Sequence, residues 1–303
     1  MLRVREVPRP EASDRISALD EGTLVHAILE EFVRAGTPRS PADAWTDDDR
    51  ARLREIVARR CDDAAARGIT GRPLLWRFAR RRIERTATQF LTVDTRLRRE
   101  HDAAPRPDGL EVPFGVDGAP EVRVALPDAR PVTFRGRIDR VDRSADGERV
   151  VVYDYKTGRS DRYAGLADDP VLGGELLQLP VYALAALAQT GARRAEAYYW
   201  FTGAASFEAS TAGYPFESAE RARFEAVLTS IVDGIDRGCF PAVPGELTFD
   251  ARVQRDQFEH CQYCPYDRVC PLDRGAAWAK KFDDPEVLPY WALDPEPAPG
   301  EGP

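Results

Sequence analysis

Residues Val132 to Gly158 read VTFRGRIDRVDRSADGERVVVYDYKTG, and this stretch decides the fold. Two runs rich in Val, Ile, Phe and Tyr flank Ser144 to Glu148, and Asp146-Gly147 is a strong turn dipeptide. The pattern predicts a β-hairpin. A two-residue turn at Asp146-Gly147, or a four-residue loop closed by Ser144 and Arg149, gives the same register. Asp139 then lies across from Asp154, with Cβ atoms roughly 4.5–5.5 Å apart. Two carboxylates that close raise each other's pKa, and a divalent cation offsets the repulsion. Side chains alternate along a strand, so Lys156 shares the face of Asp154. The hairpin thus offers two acidic ligands and one ammonium around a point, which is the set that metal-assisted phosphodiester hydrolysis needs. An isolated Asp-x-Lys reads more simply as a surface salt bridge, so the neighbouring motifs must decide.

The chain has 303 residues, 43% of them apolar, enough for one large α/β domain with an appendage or for two small domains. It has no run of 18 apolar residues, so no membrane span is expected. The opening MLRVREVPRPEASD lacks the apolar block of a signal peptide, which predicts a cytoplasmic location. A net charge of −8 excludes a generic nucleic-acid sponge but not an acidic nuclease, whose metal adds its own positive charge. Of 43 Lys and Arg, only Lys156, Lys280 and Lys281 are lysine. Lys in the Asp-Tyr-Lys motif of an otherwise Arg-rich chain favours chemistry there, because the lysine ammonium is compact and tunable.

Residues 1–18 read as an extended, Pro-punctuated segment, with residues 19–245 as the core. Leu19 to Val33 has the spacing of an amphipathic helix, with a stripe of Leu24, Val25, Ile28, Leu29, Phe32 and Val33. His26 flanks that stripe as a possible third metal ligand. Residues 46–100 read as a helical insertion of two helices, one opened by Thr46-Asp-Asp-Asp to about Arg67 and one from about Pro73 to Arg99. The second carries Arg77, Arg80, Arg81, Arg82 and Arg85, which could track a phosphate backbone or simply face solvent. Residues 102–109 read as a loop. Leu110 to Phe114, Val122 to Leu126 and the hairpin then read as antiparallel members of one sheet. Glu111 could reach the same site, although its neighbourhood suggests a solvent-facing strand residue. A helix is expected from about Gly174 to Gln189, with a stripe of Leu176, Leu179, Leu184 and Leu187; Gln178 and Tyr182 share its other face near the start. Glu196 to Phe201 reads as a strand and Glu217 to Arg237 as a helix.

Residues 246–282 form a Cys-rich segment, followed by a Pro-rich tail at 283–303. Three of the five cysteines lie in Cys261-Gln-Tyr-Cys264-Pro-Tyr-Asp-Arg-Val-Cys270. In a cytosolic protein this spacing favours a metal or iron–sulfur site over disulfides, yet three thiolates are one short of a four-Cys site. Cys61 falls in a helical pattern and reads as a core thiol. Cys239 follows a helix in an ordinary context, and His260 is awkwardly placed, directly beside Cys261, to complete a zinc site.

In order the chain shows GTLVHAILE with His26, LEVPF with Glu111, GRIDRVD with Asp139, DYKTG with Asp154 and Lys156, QLPVY with Gln178 and Tyr182, and the closing C-x2-C-x5-C. This series, over about residues 20–275, resembles the RecB-type nuclease domain of the PD-(D/E)XK superfamily, especially the iron–sulfur form in AddB-type helicase–nuclease proteins. The resemblance implies a restriction-endonuclease-like α/β fold, a mixed central sheet flanked by helices. It implies that His26, Asp139 and Asp154 hold Mg²⁺ or Mn²⁺ with the Tyr155 carbonyl, Glu111 being a secondary ligand. Lys156 would position or activate water, and Gln178 and Tyr182 would contact DNA or orient the site. Cys261, Cys264 and Cys270 would be three ligands of a 4Fe–4S cluster. In the family the first cluster cysteine lies just upstream of the His-bearing helix, and no cysteine stands there. The expectation is a piece of a longer polypeptide that has lost a helicase-like region, or a late-started gene model. No G-x-x-x-x-G-K-[ST] loop occurs, so ATP-driven unwinding would come from a partner. The implied activity is a metal-dependent DNase, an exonuclease on single strands or ends in recombination and repair. The alternatives are a non-catalytic DNA-binding or scaffolding module and a stand-alone CRISPR-associated exonuclease.

Overall fold

The computed structural model describes residues 14–36, 40–250, 254–262, 264, 269–281 and 283–293. These fall into two compact units, one ending at Glu225 and the other beginning at Ala226. The sequence expectations for residues 1–13 and 294–303 lie outside the described residues.

The first unit opens with three helices. In α1 (Ala18–Ala35) the Ser17 hydroxyl accepts the Asp20 N–H, and Asp20 and Glu21 sit at the positive end of the helix dipole. The helix buries the stripe its sequence predicts, from Leu24 to Val33. Thr46 and Asp49 form a reciprocal capping box at the start of α2 (Asp47–Ala66). Pro73 opens α3 (Pro73–Glu100), where its missing N–H costs little. Strands β1 (Ala104–Phe114), β2 (Val122–Ala125), β3 (Pro131–Phe134), β4 (Gly136–Arg143) and β5 (Arg149–Lys156) follow. After them come helix α4 (Gln178–Thr190) and strands β6 (Arg194–Phe201) and β7 (Thr211–Phe216).

The central sheet has the order β1-β4-β5-β6-β7, antiparallel throughout except for the parallel pair β5–β6. The hairpin register is the one its turn dictates: Arg140 pairs with Tyr153 and Arg143 with Val150, closed by Ser144 and Arg149. Gly147 takes φ 74° in that turn, a left-handed value that glycine adopts without a Cβ penalty.

Side chains on alternate β5 positions serve opposite faces. Val151, Tyr153 and Tyr155, with Trp200 of β6, join the core built by α1, α2 and α3. Residues 46–100 thus form a wall of this core; Phe90 of α3 stacks on Trp200 at 4.9 Å. In the same layer Arg140 of β4 bonds both oxygens of Asp142 and one of Asp94 at 2.6 Å, and Asp94 also takes Arg98 and Trp45. All four charged groups are fully buried. Cys61 is a buried core thiol as expected, and burial pushes its pKa up to about 11. The opposite face, carrying Asp154, is covered by α4.

Five sequence expectations are corrected. The strand at Val122 is not part of the central sheet, because it pairs with β3 in a separate two-stranded ribbon. The hairpin's first run therefore splits into β3 and β4 at Arg135, beside Gly136; a Cβ there would sit 2.8 Å from the Phe114 ring. Of the expected loop at 102–109, residues from Ala104 onward belong to β1, whose pairing is irregular between Pro105 and Leu110. Gly109 approaches β4 so closely that a Cβ would lie 2.3 Å from the Val141 carbonyl oxygen. Helix α4 begins at Gln178, not near Gly174, since Gly173 and Gly174 take left-handed φ values of 60° and 105°. Its Leu184 and Leu187 are half-buried, and small residues such as Ala183, Ala185 and Ala186 fill the packed face instead.

The boundary between the units falls within α5 (Ser218–Asp236). The second unit contains an antiparallel pair, β8 (Leu247–Asp250) with β9 (Arg255–Phe258), and two short helices, α6 (Arg274–Ala279) and α7 (Leu288–Trp291). Trp278 stacks on Trp291 at 4.5 Å.

Candidate active site

Three strands bring a row of acids together. Leu110 pairs with Arg140 and Val112 with Ile138, which puts Glu111 of β1 across from Asp139 of β4. The β4–β5 rungs end at Arg140–Tyr153, and the next step along the same register brings Asp139 to Asp154. There the Asp139 side chain takes over: its Oδ2 accepts the Tyr155 N–H at 2.7 Å. Glu111 adopts φ 51°, a left-handed conformation that a non-glycine residue holds only when its surroundings enforce it.

His26 enters from α1. Its Nδ1 lies 3.4 Å from Asp139 Oδ1, and its Nε2 donates to the Tyr155 carbonyl oxygen at 2.9 Å. Ligating atoms of His26, Glu111 and Asp139 all fall within 4.8 Å of one another, the sole such group among the described residues. The position of α1 depends on its buried stripe, which packs in one core with Tyr155. The imidazole of His26 meets the Tyr155 ring edge-on at 5.7 Å.

The other end of the row is organised by α4. Gln178, its first residue, donates to Asp154 Oδ1 at 2.6 Å and to the Tyr182 hydroxyl at 2.9 Å, while its side-chain oxygen accepts from Lys156 Nζ at 3.1 Å. Lys156 Nζ stands 2.5 Å from Asp154 Oδ2, an ion pair made beside the buried end of the row. The ammonium also lies 5.0 Å from the centre of the Tyr199 ring.

The electrostatics follow from burial and crowding. Asp154 is 3% exposed, and desolvation together with the Asp139 charge pushes its carboxyl up to about 6, against the opposing pull of Lys156 and His26. Glu111 is likewise raised to about 6 by desolvation and by Asp139 and Glu30. For His26 burial works downward, but Asp139, Asp154 and the Tyr155 carbonyl outweigh it and the imidazole pKa is raised. A half-buried group of three acids, one imidazole and one ammonium is thus held with unneutralised negative charge, and each raised pKa is a measure of that frustration. A divalent cation fits this donor set: oxygen and imidazole ligands converge, and three carboxylates meet a single ammonium.

The structure therefore gathers His26, Glu111, Asp139, Asp154, Tyr155, Lys156, Gln178 and Tyr182 in one place. Glu111 is half-buried beside Asp139 and His26, where its neighbours in sequence suggest a solvent-facing residue. Tyr199 is a site residue that the sequence does not single out; it pairs in register with Asp154 only through the parallel β5–β6 pairing, which no local pattern announces. Cys261, Cys264 and Cys270 are free thiols in the second unit, half-buried. They are not among the ligating groups gathered within 4.8 Å.

A family model described as the PD-(D/E)XK nuclease superfamily matches residues 1–271. The chain is similar to an ATP-dependent helicase/deoxyribonuclease subunit of Symbiobacterium thermophilum, at 35% identity over 184 residues, 56% of this chain and 15% of that protein. Proteins of the same name from Ruminiclostridium cellulolyticum and Lacticaseibacillus casei are 30% and 31% identical over 48% and 53% of this chain, and 13% and 14% of their own lengths. The chain thus spans about a seventh of these curated relatives. No helix among the described residues is long and apolar enough to cross a membrane.

Proposed function

The chain belongs to the PD-(D/E)XK nuclease superfamily, and from that premise we propose that its site hydrolyses phosphodiester bonds of DNA with a divalent cation, Mg²⁺ or Mn²⁺. The observation that carries the reading is the row of Glu111, Asp139 and Asp154 across three adjacent strands, with His26 at one end and Lys156 at the other. His26, Asp139, Asp154 and the Tyr155 carbonyl would hold the cation, with Glu111 as a further oxygen ligand. When bound, it supplies positive charge that polarises the phosphate and acidifies water. Lys156 holds the attacking water and faces the charge that develops on the phosphate. Gln178 fixes the relative position of Lys156 and Asp154 by bonding both, and Tyr182 in turn anchors Gln178. Asp139 ties the strand to the site by capturing the Tyr155 N–H, so the carbonyl on the same residue is held toward His26.

The substrate is a DNA end or single strand, cleaved as an exonuclease in cytoplasmic recombination and double-strand-break repair, together with a helicase partner. Support comes from the relatives, whose names join an ATP-dependent helicase to a deoxyribonuclease. The intact Asp–Asp–Lys set weighs against a non-catalytic scaffolding module. Cys261, Cys264 and Cys270 supply three thiolates, one fewer than a 4Fe–4S cluster takes; the described residues do not complete that site, and no step of the reaction runs through it. Incubation of the chain with linear DNA and Mg²⁺ tests the proposal. Cleavage that disappears in Asp154→Ala and in Lys156→Ala supports it, and cleavage that persists in Asp154→Ala removes the assignment.

A further inference from the structure

The arginines of α3 fall into two groups. Arg80 is held by Asp62 and Glu84, and Arg82 by Glu21. Arg77, Arg81 and Arg85 recur every fourth residue on one exposed face, and among the described residues none of them has a carboxylate within 4 Å. Beside them Phe78 stands 59% exposed. An open groove of about 820 Å³ runs along this face, lined by Phe78, Arg81, Arg82, Arg85, Gln89 and Thr92. A second groove of about 390 Å³ shares Arg82, Arg85 and Gln89 with the first and reaches Thr157 and Thr202. The shared residues make the two grooves one path along α3, and Thr157 directly follows Lys156 in sequence, so the path ends beside the last residue of β5. The acids along the path, Glu21 and Glu84, are already engaged by Arg82 and Arg80. Its net charge is therefore positive on a chain whose total is −8.

We propose that this path binds a single strand of DNA, with Arg81 and Arg85 on its phosphates and Phe78 stacked on a base. For the ligand's identity the inference rests on the nuclease reading. The charge complementarity is local: an acidic protein repels a polyanion elsewhere and admits it where unpaired guanidiniums line a groove. The strand is single because the Phe78 ring can stack only on a base whose face is free, and in a duplex those faces are already covered. Gln89 is fixed to the Ala204 carbonyl at 2.5 Å, which joins α3 to the loop after β6 and keeps the two grooves in register.

Fluorescence anisotropy of a labelled oligothymidylate of about 16 nucleotides, titrated with the full chain in EDTA, tests the path. The double variant Arg81→Gln/Arg85→Gln is expected to bind about tenfold more weakly or worse, with a log–log salt slope about 1.4 smaller in magnitude than the wild type. Phe78→Ala is expected to bind about fivefold more weakly or worse with the salt slope unchanged. Both variants should cleave bis-p-nitrophenyl phosphate in Mn²⁺ at the wild-type rate, because that small diester does not reach α3. Unchanged binding in both variants, absent binding by the wild type, or equal affinity for a blunt duplex each overturns the inference. Failure of the wild type to cleave the small diester contradicts the nuclease reading alone, since the binding comparison still decides the path.

Discussion

Asp154 holds the tension of the site. Its carboxyl is buried beside Asp139 and is pushed up to about 6, so the folded protein binds this proton more tightly than the unfolded chain does. Stability from this group is therefore lost as pH rises from the ordinary carboxylate range through about 6. Above that pH the ionised carboxylate works against the metal-free fold. Asp154→Asn should raise the melting temperature of the metal-free protein at pH 8, by about 1–3 kcal/mol of stability, while abolishing cleavage; calorimetry in EDTA beside a nuclease assay checks both. In the wild type Mn²⁺ binding should weaken as pH drops through about 6, where Asp154 and Glu111 of the metal-free protein take up protons. Much of this is legible in the sequence: a turn dipeptide and the two-residue period are enough to place Asp139, Asp154 and Lys156. The orientation of Glu111 is not, because a left-handed φ leaves no mark in Leu-Glu-Val-Pro-Phe, and the role of Tyr199 is hidden because it needs the pairing of distant strands.

At the scale of elements, polar clusters lock the layers together. Glu196 on β6 bonds Arg149 on β5 at 2.7 Å, His101 just past α3 at 2.8 Å and the Tyr198 hydroxyl at 3.0 Å. Burial alone would raise its pKa, but these partners hold it down at about 2. Its contribution is fully present above the ordinary glutamate pKa and is lost as pH falls through about 2. The side chain is 16% exposed, so Glu196→Gln should cost about 1–2 kcal/mol at pH 7; urea unfolding at pH 7 and pH 3 should show the gap narrowing. Asp94 lies deeper, shared between Arg98 and Arg140 with no exposure at all. Asp94→Ala leaves two buried guanidiniums short of a counter-charge and should cost about 3–5 kcal/mol, measured by the same unfolding. Helices α1, α2 and α3 are readable from sequence to within two residues, because caps and apolar stripes are local signals. The ribbon of β2 and β3 is not, since partner choice between strands depends on packing across the whole sheet.

For the whole molecule, composition and the order of motifs are enough for an α/β nuclease fold. They are not enough to reveal that α3 is a wall of the core or that a second unit begins at Ala226, because both depend on contacts far apart in sequence. The chain covers about a seventh of relatives named as ATP-dependent, and its sequence carries no phosphate-binding G-x-x-x-x-G-K-[ST] loop. Added ATP should therefore leave its rate of DNA cleavage unchanged in a steady-state assay. On this reading, folding brings His26, Asp139 and Asp154 to one cation. Electron paramagnetic resonance of Mn²⁺ titrated into the protein tests it most directly. Tight Mn²⁺ binding is expected for the wild type and is lost in Asp139→Asn and in Asp154→Asn. Binding of equal strength in either variant, or none in the wild type, would contradict it.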